Sequence, residues 1–338
     1  MMYIIAEIGV NHNGNMSLAK KMILAAKKNG ANAVKFQSFK AETLVTKITP
    51  KIKYQRLSTS KKVSHYDLIK SLELSYKNHF ILKKFCKTKK IDFISTPYDL
   101  ESLKFLDRIG VKAFKVASAD MVDISLHEYL AKQKKKVIIS TGMCELSEIS
   151  RVLSIYKKNK FNMRNLIMLH CTSNYPASDK SLNLKAINLL KKKFKIEIGY
   201  SDHSTDFQAS VIAAAYGAKT FERHFTTSKK LPGPDQKASS DPKEFKEYVE
   251  RIKRAVLQVG VEKKYCQVEE KEMRGISRKS IVAKEIILKN QVITINDISY
   301  KRPGFGIYPI DRHTIVGKKS KIKIMKDQII LAKYLKNK

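Results

Sequence analysis

Residues 196–240 read IEIGYSDHSTDFQASVIAAAYGAKTFERHFTTSKKLPGPDQKASS. The short apolar segments IEIGYS and KTFERHF each carry a histidine at or just after the carboxyl end, His203 and His224. Between these segments, Ser204 or Thr205 is expected to cap a helix. A strand, a helix and a second strand predict parallel strands whose carboxyl ends lie on one side. We therefore expect both imidazoles in one pocket, where they could bind a divalent metal ion, although either histidine alone is more often a core or surface residue.

The same alternation of strand and helix extends over residues 1–260. Strands are expected at residues 3–8, 33–37, 91–96, 112–117, 136–141, 166–172, 196–201 and 219–224. A helical pattern follows each strand, and the last helix has the clearest start, with Asp241 as cap, Pro242 as first residue and Glu244 completing a capping box. Eight such pairs are typical of an α/β fold, the (β/α)8 TIM barrel.

Three segments depart from this alternation. Residues 38–75 form a polar insertion without a strong period, and an insertion of that length in a compact domain is usually functional. Residues 261–276 are polar and are expected to be a linker. In residues 277–338, the pieces KSIVAK, ITINDI, TIVGKK and KIKIM predict a small β-rich domain. Because so small a domain is marginally stable alone, we expect it to dock on another surface.

Composition and charge narrow the class of protein. The 338 residues are 43% hydrophobic and 29% charged, with a formal net charge of +36. The lysines lie in most helices and turns rather than on one arm, which favours a solvated lysine surface and no nucleic-acid partner. No apolar run reaches the roughly 18 residues of a membrane helix, and the apolar start lacks a basic leader and a cleavage site. Four scattered cysteines without a CxxC motif fit a reducing compartment, so we expect a cytoplasmic protein without a membrane partner.

In a barrel of this type the chemistry lies at the carboxyl ends of the strands. Polar residues at the expected strand ends are Glu7, Lys35, Gln37, Ser95, Thr96, Lys115, Ser118, Ser140, Thr141, Thr172, Ser173, Tyr175, Ser201, Asp202, His203, Glu222 and His224. Ammonium and hydroxyl groups beside two histidines would suit a phosphate or carboxylate next to a metal ion. Taken singly, Lys35 could be a snorkelling residue and Glu7 a salt-bridge partner without catalytic duty.

A set of motifs extends over nearly the whole chain. In order they are AEIGVNHNG, VKFQ, STPYD, FKVAS, STGM, HCTSNYP, GYSDHS, ERHFT and GPDQKAS. Together they closely resemble the sialic acid (N-acetylneuraminate) synthase family, which includes legionaminate and pseudaminate synthases. The segment from about residue 277, with KRPGFGI and VGKK, is similar to that family's antifreeze-like (SAF) domain. The resemblance implies a transferase that condenses phosphoenolpyruvate with N-acetylmannosamine, or a related amino sugar, and water to give N-acetylneuraminate and phosphate by C–O cleavage.

The resemblance also implies roles for individual residues. His203 and His224 would bind a divalent cation, usually Mn²⁺, with Mg²⁺ or Co²⁺ as alternatives. The phosphate and carboxylate of phosphoenolpyruvate would be held by Lys35, Thr96, Lys115, Ser118, Ser140 and Ser201. Gln37, Tyr175 and Asp235 would bind the open-chain amino sugar, Ser173 would contact phosphate or sugar, and Glu7 would act at the reacting centre. Arg302 would complete the site of the other subunit in a domain-swapped homodimer.

Other hypotheses about the function remain open from the sequence alone. The same motifs fit legionaminate or pseudaminate synthases, which act on a diacetamido-trideoxyhexose. A metal-dependent pyruvate aldolase would need no phosphate site, so Lys35 and Lys115 are the residues that discriminate against it. A binding protein that grips an anionic polymer would keep its partner at physiological salt.

Overall fold

A computed structural model describes residues 2–52, 55–56, 59–60 and 62–336. The chain divides into two compact units, Met1–Gly260 and Val261–Lys338, here called the barrel unit and the carboxyl-terminal unit. Over the described ranges, no helix is long and apolar enough to span a lipid bilayer.

Eight parallel strands of the barrel unit close into a barrel in chain order, which confirms the (β/α)8 prediction. The strands are β1 (Tyr3–Gly9), β2 (Ala33–Ser38), β3 (Asp92–Pro97), β4 (Ala113–Val116), β5 (Lys136–Ser140), β6 (Leu166–His170), β7 (Glu197–Asp202) and β8 (Thr220–His224). Because β1 pairs with both β2 and β8, the sheet has no free edge.

Helices follow the strands of the barrel unit. They are α1 (Met16–Lys28), α2 (Ala41–Leu44), α3 (His65–Ser71), α4 (Tyr76–Thr88), α5 (Leu100–Arg108), α6 (Ile124–Ala131), α7 (Leu146–Lys158), α8 (Asp179–Leu182), α9 (Ala186–Phe194), α10 (Gln208–Ala215) and α11 (Pro242–Val259). The predicted start of α11 is confirmed, since Asp241 and Glu244 form a capping box around Pro242. Both side chains satisfy backbone N–H groups that have no partner inside the helix.

Strand residues alternate between an outer and an inner face. Outward side chains such as Ile4, Val34 and Phe36 pack with the helices in the main core. Inside the barrel a layer of apolar side chains consists of Ile5, Ala33, Ile94, Ala113, Ile138, Ile167 and Leu169. Two residues further along β1 to β5, the same inward face carries Glu7, Lys35, Thr96, Lys115 and Ser140. The apolar layer therefore closes the barrel below a polar layer at the carboxyl ends of the strands.

The helix between β7 and β8 begins later than predicted. α10 starts at Gln208 with Phe207 at the cap position and without a side-chain cap, so the expected cap by Ser204 or Thr205 is wrong. The Ser204 hydroxyl donates instead to Asp202 Oδ1, at 2.6 Å. Because Ser204 is already engaged by this buried carboxylate, the helix begins only after the turn.

The polar insertion at residues 38–75 contains the short helices α2 and α3. Their lengths of four and seven residues are too short to produce a readable period in the sequence. Glu73 links them, because its Oε1 accepts the N–H of Ala41 at 2.7 Å and its carboxylate lies 3.3 Å from Lys70 Nζ. Glu73 therefore connects the two helices to one another within the insertion.

The carboxyl-terminal unit has less regular strand structure than the sequence predicts. Its strands β9 (Ser280–Ala283) and β10 (Ile298–Lys301) form an antiparallel pair. The predicted strands TIVGKK and KIKIM contribute only single bridges, such as Val292 with Lys319. The expected linker at 261–276 contains most of a helix, α12 (Lys271–Ser277). The core of this unit consists mainly of isoleucines, Ile281, Ala283, Ile287, Ile293, Ile298, Ile315, Ile324, Ile330 and Leu335.

Candidate active site

The pairing register of the strands brings the polar inward residues to one level. Glu7 of β1 stands beside Lys35 of β2 on one side and beside His224 of β8 on the other. In the same way Ser201 of β7 stands beside Glu222 of β8. Neighbouring strands lie about 5 Å apart, so residues distant in sequence become direct neighbours.

A cavity of about 460 Å³ opens above this polar layer. Its lining includes the predicted residues Glu7, Lys35, Gln37, Lys115, Ser118, Ser140, Ser173, Tyr175, Ser201, His203, His224 and Asp235. Thr96 lies just below the lining, where its hydroxyl accepts from Lys35 Nζ at 3.1 Å. Arg302 is an exposed residue after β10 in the carboxyl-terminal unit, so its predicted role stays a prediction.

Lys35 is held by carboxylates on two strands. Its Nζ lies 3.0 Å from Glu7 Oε2 and 3.8 Å from Glu222 Oε1. Burial works to lower the pKa of Lys35, but Glu222 and Glu7 outweigh burial and the pKa is raised. Lys35 therefore stays an ammonium group although only 5% of the residue is exposed.

Lys115 is the second buried lysine of the cavity, and burial lowers its pKa although Glu222 acts in the opposite direction. Its Nζ donates to Ser140 Oγ at 2.7 Å and lies 3.9 Å from Glu222 Oε1. Glu222 Oε1 also accepts from Ser201 Oγ at 3.2 Å, so this carboxylate stands between both lysines. The sequence interpretation noted Glu222 at the strand end but gave it no role. Its position two residues before His224 is the signal that places both side chains on one face of a strand.

The two histidines present neutral imidazoles to the cavity. Their ring centroids are 5.7 Å apart, and the ring of Tyr175 lies 4.2 Å from that of His203. Burial lowers the pKa of both His203 and His224. His203 Nδ1 donates to the Thr172 carbonyl at 2.8 Å, which leaves the lone pair on Nε2. This arrangement is typical of a metal-binding histidine, whose other nitrogen is fixed by an acceptor.

These residues fit a divalent cation. Among the residues that the structure describes, His224 Nδ1 and Glu222 Oε2 are buried without a hydrogen-bond partner. A cation near the imidazoles would supply the charge that such buried acceptors need. In the described ranges no group of three or more His, Cys, Asp or Glu side chains forms a ligand set. The protein would therefore offer the two imidazoles, with other ligands coming from water or substrate.

The strands that carry the histidines are joined on their outer face by a buried ion pair. Arg223 Nη1 lies 3.1 Å from Asp202 Oδ2. The guanidinium also donates to Ser240 Oγ at 2.7 Å and lies 5.0 Å from the Phe207 ring. Residues alternate between the two faces of a strand. The ion pair on the outer face therefore also holds in place the residues next to Asp202 and Arg223, whose side chains face the cavity.

A compact polar corner lies between the loops after β4, β5 and β6. The N–H of Gly142 donates to Ser118 Oγ at 2.9 Å. A Cβ at this position would come within 2.2 Å of Ser173 Oγ and 3.0 Å of Cys171 Sγ. Only glycine therefore lets both serine hydroxyls converge beside Lys115, as a phosphate or carboxylate ligand would require.

Glu7 provides a test of this electrostatic arrangement. Burial raises the pKa of Glu7 from 4.5 to about 7, although Lys35 acts in the opposite direction. The stability that comes from the proton on folded Glu7 is complete below about pH 4.5 and is lost as the pH rises through about 7. In metal-free buffer, we expect the melting temperature to fall less between pH 5.5 and 8 in Glu7→Gln than in the wild type. An equal fall of the melting temperature in the variant and the wild type would contradict this expectation. The control is Glu42→Gln, at an exposed position.

Buried lysines, neutral imidazoles and converging hydroxyls in one cavity at the mouth of a (β/α)8 barrel are the features of an enzyme active site. The NeuB family matches residues 22–264. The chain belongs to the NeuB family and is a synthase of the transferase class.

Relatives from several bacteria agree with this assignment. N,N'-diacetyllegionaminic acid synthase of Legionella pneumophila is 41% identical over 317 residues, covering 93% of this chain and 89% of the relative. The protein of the same name from Campylobacter jejuni is 40% identical, covering 97% and 98%. A crystal structure of N-acetylneuraminic acid synthetase from Leptospira borgpetersenii is 37% identical, with a TM-score of 0.71 over 80% of this chain and 90% of that one.

Proposed function

We propose that the enzyme condenses phosphoenolpyruvate with an N-acetylated amino sugar and water to form a nonulosonate and phosphate. The observation that carries this proposal is the pair of buried lysines, Lys35 and Lys115, in the cavity that also holds His203 and His224. Glu222 is shared between the two lysines and the pKa of Glu7 is raised to about 7, so these carboxylates offset only part of the positive charge. Phosphoenolpyruvate carries a phosphate and a carboxylate that would pair with the rest. A pyruvate aldolase would have no phosphate for the second lysine.

The residues of the chain have separate tasks in this reaction. Lys35, Lys115 and the hydroxyls of Ser118, Ser140 and Ser201 would hold the two anionic groups. C3 of phosphoenolpyruvate then forms a bond to the aldehyde carbon of the sugar, water adds at C2, and the C2–O bond to phosphate breaks. Glu7 would take a proton of the attacking water, and the lysines would stabilise the departing phosphate. Of the two protons of that water, one ends on the former aldehyde oxygen and the other on the released phosphate. A divalent cation held by His203 and His224, with Mn²⁺ as our first choice, would supply Lewis-acid chemistry at the aldehyde oxygen.

The names of the relatives favour one class of sugar. Two relatives at 41% and 40% identity are N,N'-diacetyllegionaminic acid synthases. We therefore place a diacetamido-trideoxyhexose ahead of N-acetylmannosamine, which the motifs alone favoured. Gln236 of GPDQKAS does not decide between them through a sugar contact, because it is fully buried and donates to the Asn11 carbonyl at 2.8 Å.

Phosphate release tests the proposed reaction. The enzyme is incubated with Mn²⁺, phosphoenolpyruvate labelled with ¹⁸O in its bridging oxygen, and one sugar at a time: a diacetamido-trideoxyhexose, N-acetylmannosamine or N-acetylmannosamine 6-phosphate. We expect sugar-dependent release of phosphate that retains the label, because the C–O bond breaks. Unlabelled phosphate, or no release from folded, metal-loaded enzyme with any sugar, would contradict the proposal. A chelator arm tests whether the reaction needs the cation.

We also propose that Arg302 acts in the cavity of a second subunit of a homodimer, as the family resemblance implies. We expect Arg302→Ala to raise the KM for the sugar far more than the KM for phosphoenolpyruvate. Subunit mixing gives a sharper readout. At a sugar concentration far below the raised KM, Arg302→Ala and Lys115→Met chains should each be almost inactive. Refolded together they should regain up to about a quarter of wild-type turnover, because one of the two sites in each mixed dimer has both residues intact. No recovery in dimers shown to be mixed would mean that Arg302 acts within its own chain or outside the site.

A further inference from the structure

One side of the active-site cavity is apolar. It is lined by Val10, Phe39, Leu44, Ile69, Leu72 and Tyr98, here called the apolar wall. These side chains belong to a hydrophobic cluster separate from the main core, which the ends of the first three strands form with α2 and α3. The wall therefore comes from the insertion at residues 38–75 and the barrel rim beneath it.

The wall is ordered by its own packing. Val10, Phe39 and Leu72 are at most 5% exposed, and the rings of Phe39 and Tyr98 meet edge to face at 6.0 Å. The charged residues of α2 and α3 have partners outside the cavity, since Lys70 Nζ lies 2.5 Å from Glu42 Oε1 and Asp67 accepts from Ser64 Oγ at 2.6 Å. They do not line the cavity. This leaves a preformed apolar surface beside the catalytic groups.

The charged groups of the cavity lie on or next to the barrel strands: Glu7 and Lys35 are on β1 and β2, which end just before the wall residues Val10 and Phe39. Among the described lining residues the carboxylates and ammonium groups are Glu7, Lys35, Lys115, Glu222 and Asp235. Four of them lie on barrel strands, and Asp235 lies 3.9 Å from His224 Nδ1, so the whole charged set surrounds the reacting centre. Gln55 of the insertion also lines the cavity, and its Oε1 accepts the N–H of Ile52 at 3.3 Å. The aliphatic side chains of the wall offer a phosphate or hydroxyl group no partner, and burying such a group unpaired is unfavourable.

We propose that the apolar wall is the specificity surface for the acceptor sugar. It binds the methyl-bearing part of a deoxygenated, N-acetylated sugar and discriminates against a hydroxyl or phosphate at C6. This inference rests on the proposed function and deepens it by naming the surface that selects the sugar. One methyl group in an apolar pocket typically changes kcat/KM by a factor of about 10 to 200.

Two sugars that differ only at C6 test the inference. The wild-type enzyme is assayed for phosphate release with N-acetylmannosamine and with its 6-deoxy analogue, and the ratio of the two kcat/KM values is measured. We expect the deoxy sugar to be preferred about tenfold or more. Val10→Thr keeps the shape of the side chain but adds a hydroxyl group to the wall. Ile69→Thr adds a hydroxyl group at a second position of the wall, on α3. Both variants should reduce the ratio at least threefold, as about one new hydrogen bond to the C6 hydroxyl would.

Leu68→Thr is the matched control. Leu68 lies next to Ile69 on α3 and is 8% exposed in the same cluster, but it does not line the cavity. We expect it to lower the melting temperature while leaving the ratio unchanged. A wild-type ratio near one, or an unchanged ratio in both wall variants, would overturn the inference and leave the proposed function standing. No phosphate release with any sugar would overturn both.

Discussion

Lys115→Met should lower kcat/KM for phosphoenolpyruvate by a factor of about 10² to 10³, the usual cost of removing one preorganised group that stabilises developing charge. Methionine has nearly the length of lysine and no charge, so the change removes the ammonium group with little change in packing. Lys115 Nζ is 2.7 Å from Ser140 Oγ and the residue is only 2% exposed, so water cannot replace the lost charge. Steady-state phosphate release measures the effect.

Lys112→Met is the control for this result. Lys112 precedes β4 by one residue, and its side chain is 76% exposed in an ion pair with Asp92. Exposed ion pairs contribute little, so activity should stay within twofold of the wild type. If Lys115→Met kept more than a tenth of wild-type kcat/KM, Lys115 would not be an essential anion ligand. The hypothesis that the cavity binds the phosphate of phosphoenolpyruvate would then fail.

Arg223→Leu should lower the free energy of unfolding of the barrel by about 3–5 kcal/mol. The substitution leaves the carboxylate of Asp202 buried without its partner, while the guanidinium also loses its contacts with Ser240 and Phe207. Denaturation by urea measures the change. Activity in the folded fraction should fall too, because Arg223 lies between Glu222 and His224 in β8.

Arg251→Leu on α11 is the matched control. Arg251 is half-exposed and pairs with Glu247 one turn away, which is worth about 0.3–0.5 kcal/mol. The double variant Asp202→Leu, Arg223→Leu should be less destabilised than the sum of the single variants, since it buries no lone charge. A loss below about 1 kcal/mol in Arg223→Leu would mean that the pair is not a structural link between β7 and β8.

The barrel could be predicted from the sequence because its strands and helices alternate and have clear ends. The capping box of Asp241 and Glu244 depends on neighbouring residues alone, and local patterns are readable. Ser204 has the same local preference for a cap, but a tertiary contact with Asp202 takes its hydroxyl. Such a contact depends on the folded arrangement of two strands and leaves no local signal.

The candidate site was predictable to a similar degree. His203, His224, Lys35 and Lys115 follow from strand ends and family motifs, and the structure brings them into one cavity. The role of Glu222 was missed because a carboxylate beside two lysines becomes apparent only from the register of strands β2, β4 and β8. The apolar wall was missed because its helices α2 and α3 are too short for a hydrophobic period to appear.

The alternation of inward and outward residues in β8 makes this strand sensitive to length as well as to composition. Glu222 and His224 face the cavity while Arg223 faces the helices. Deleting one residue between Thr220 and Glu222 would exchange these faces, placing a guanidinium in the cavity and an imidazole against Asp202. Single-residue insertions and deletions here should therefore abolish catalysis and folding together, whereas many substitutions would affect only one of them. Natural variation along this strand is accordingly expected to preserve its residue count even where its residues change.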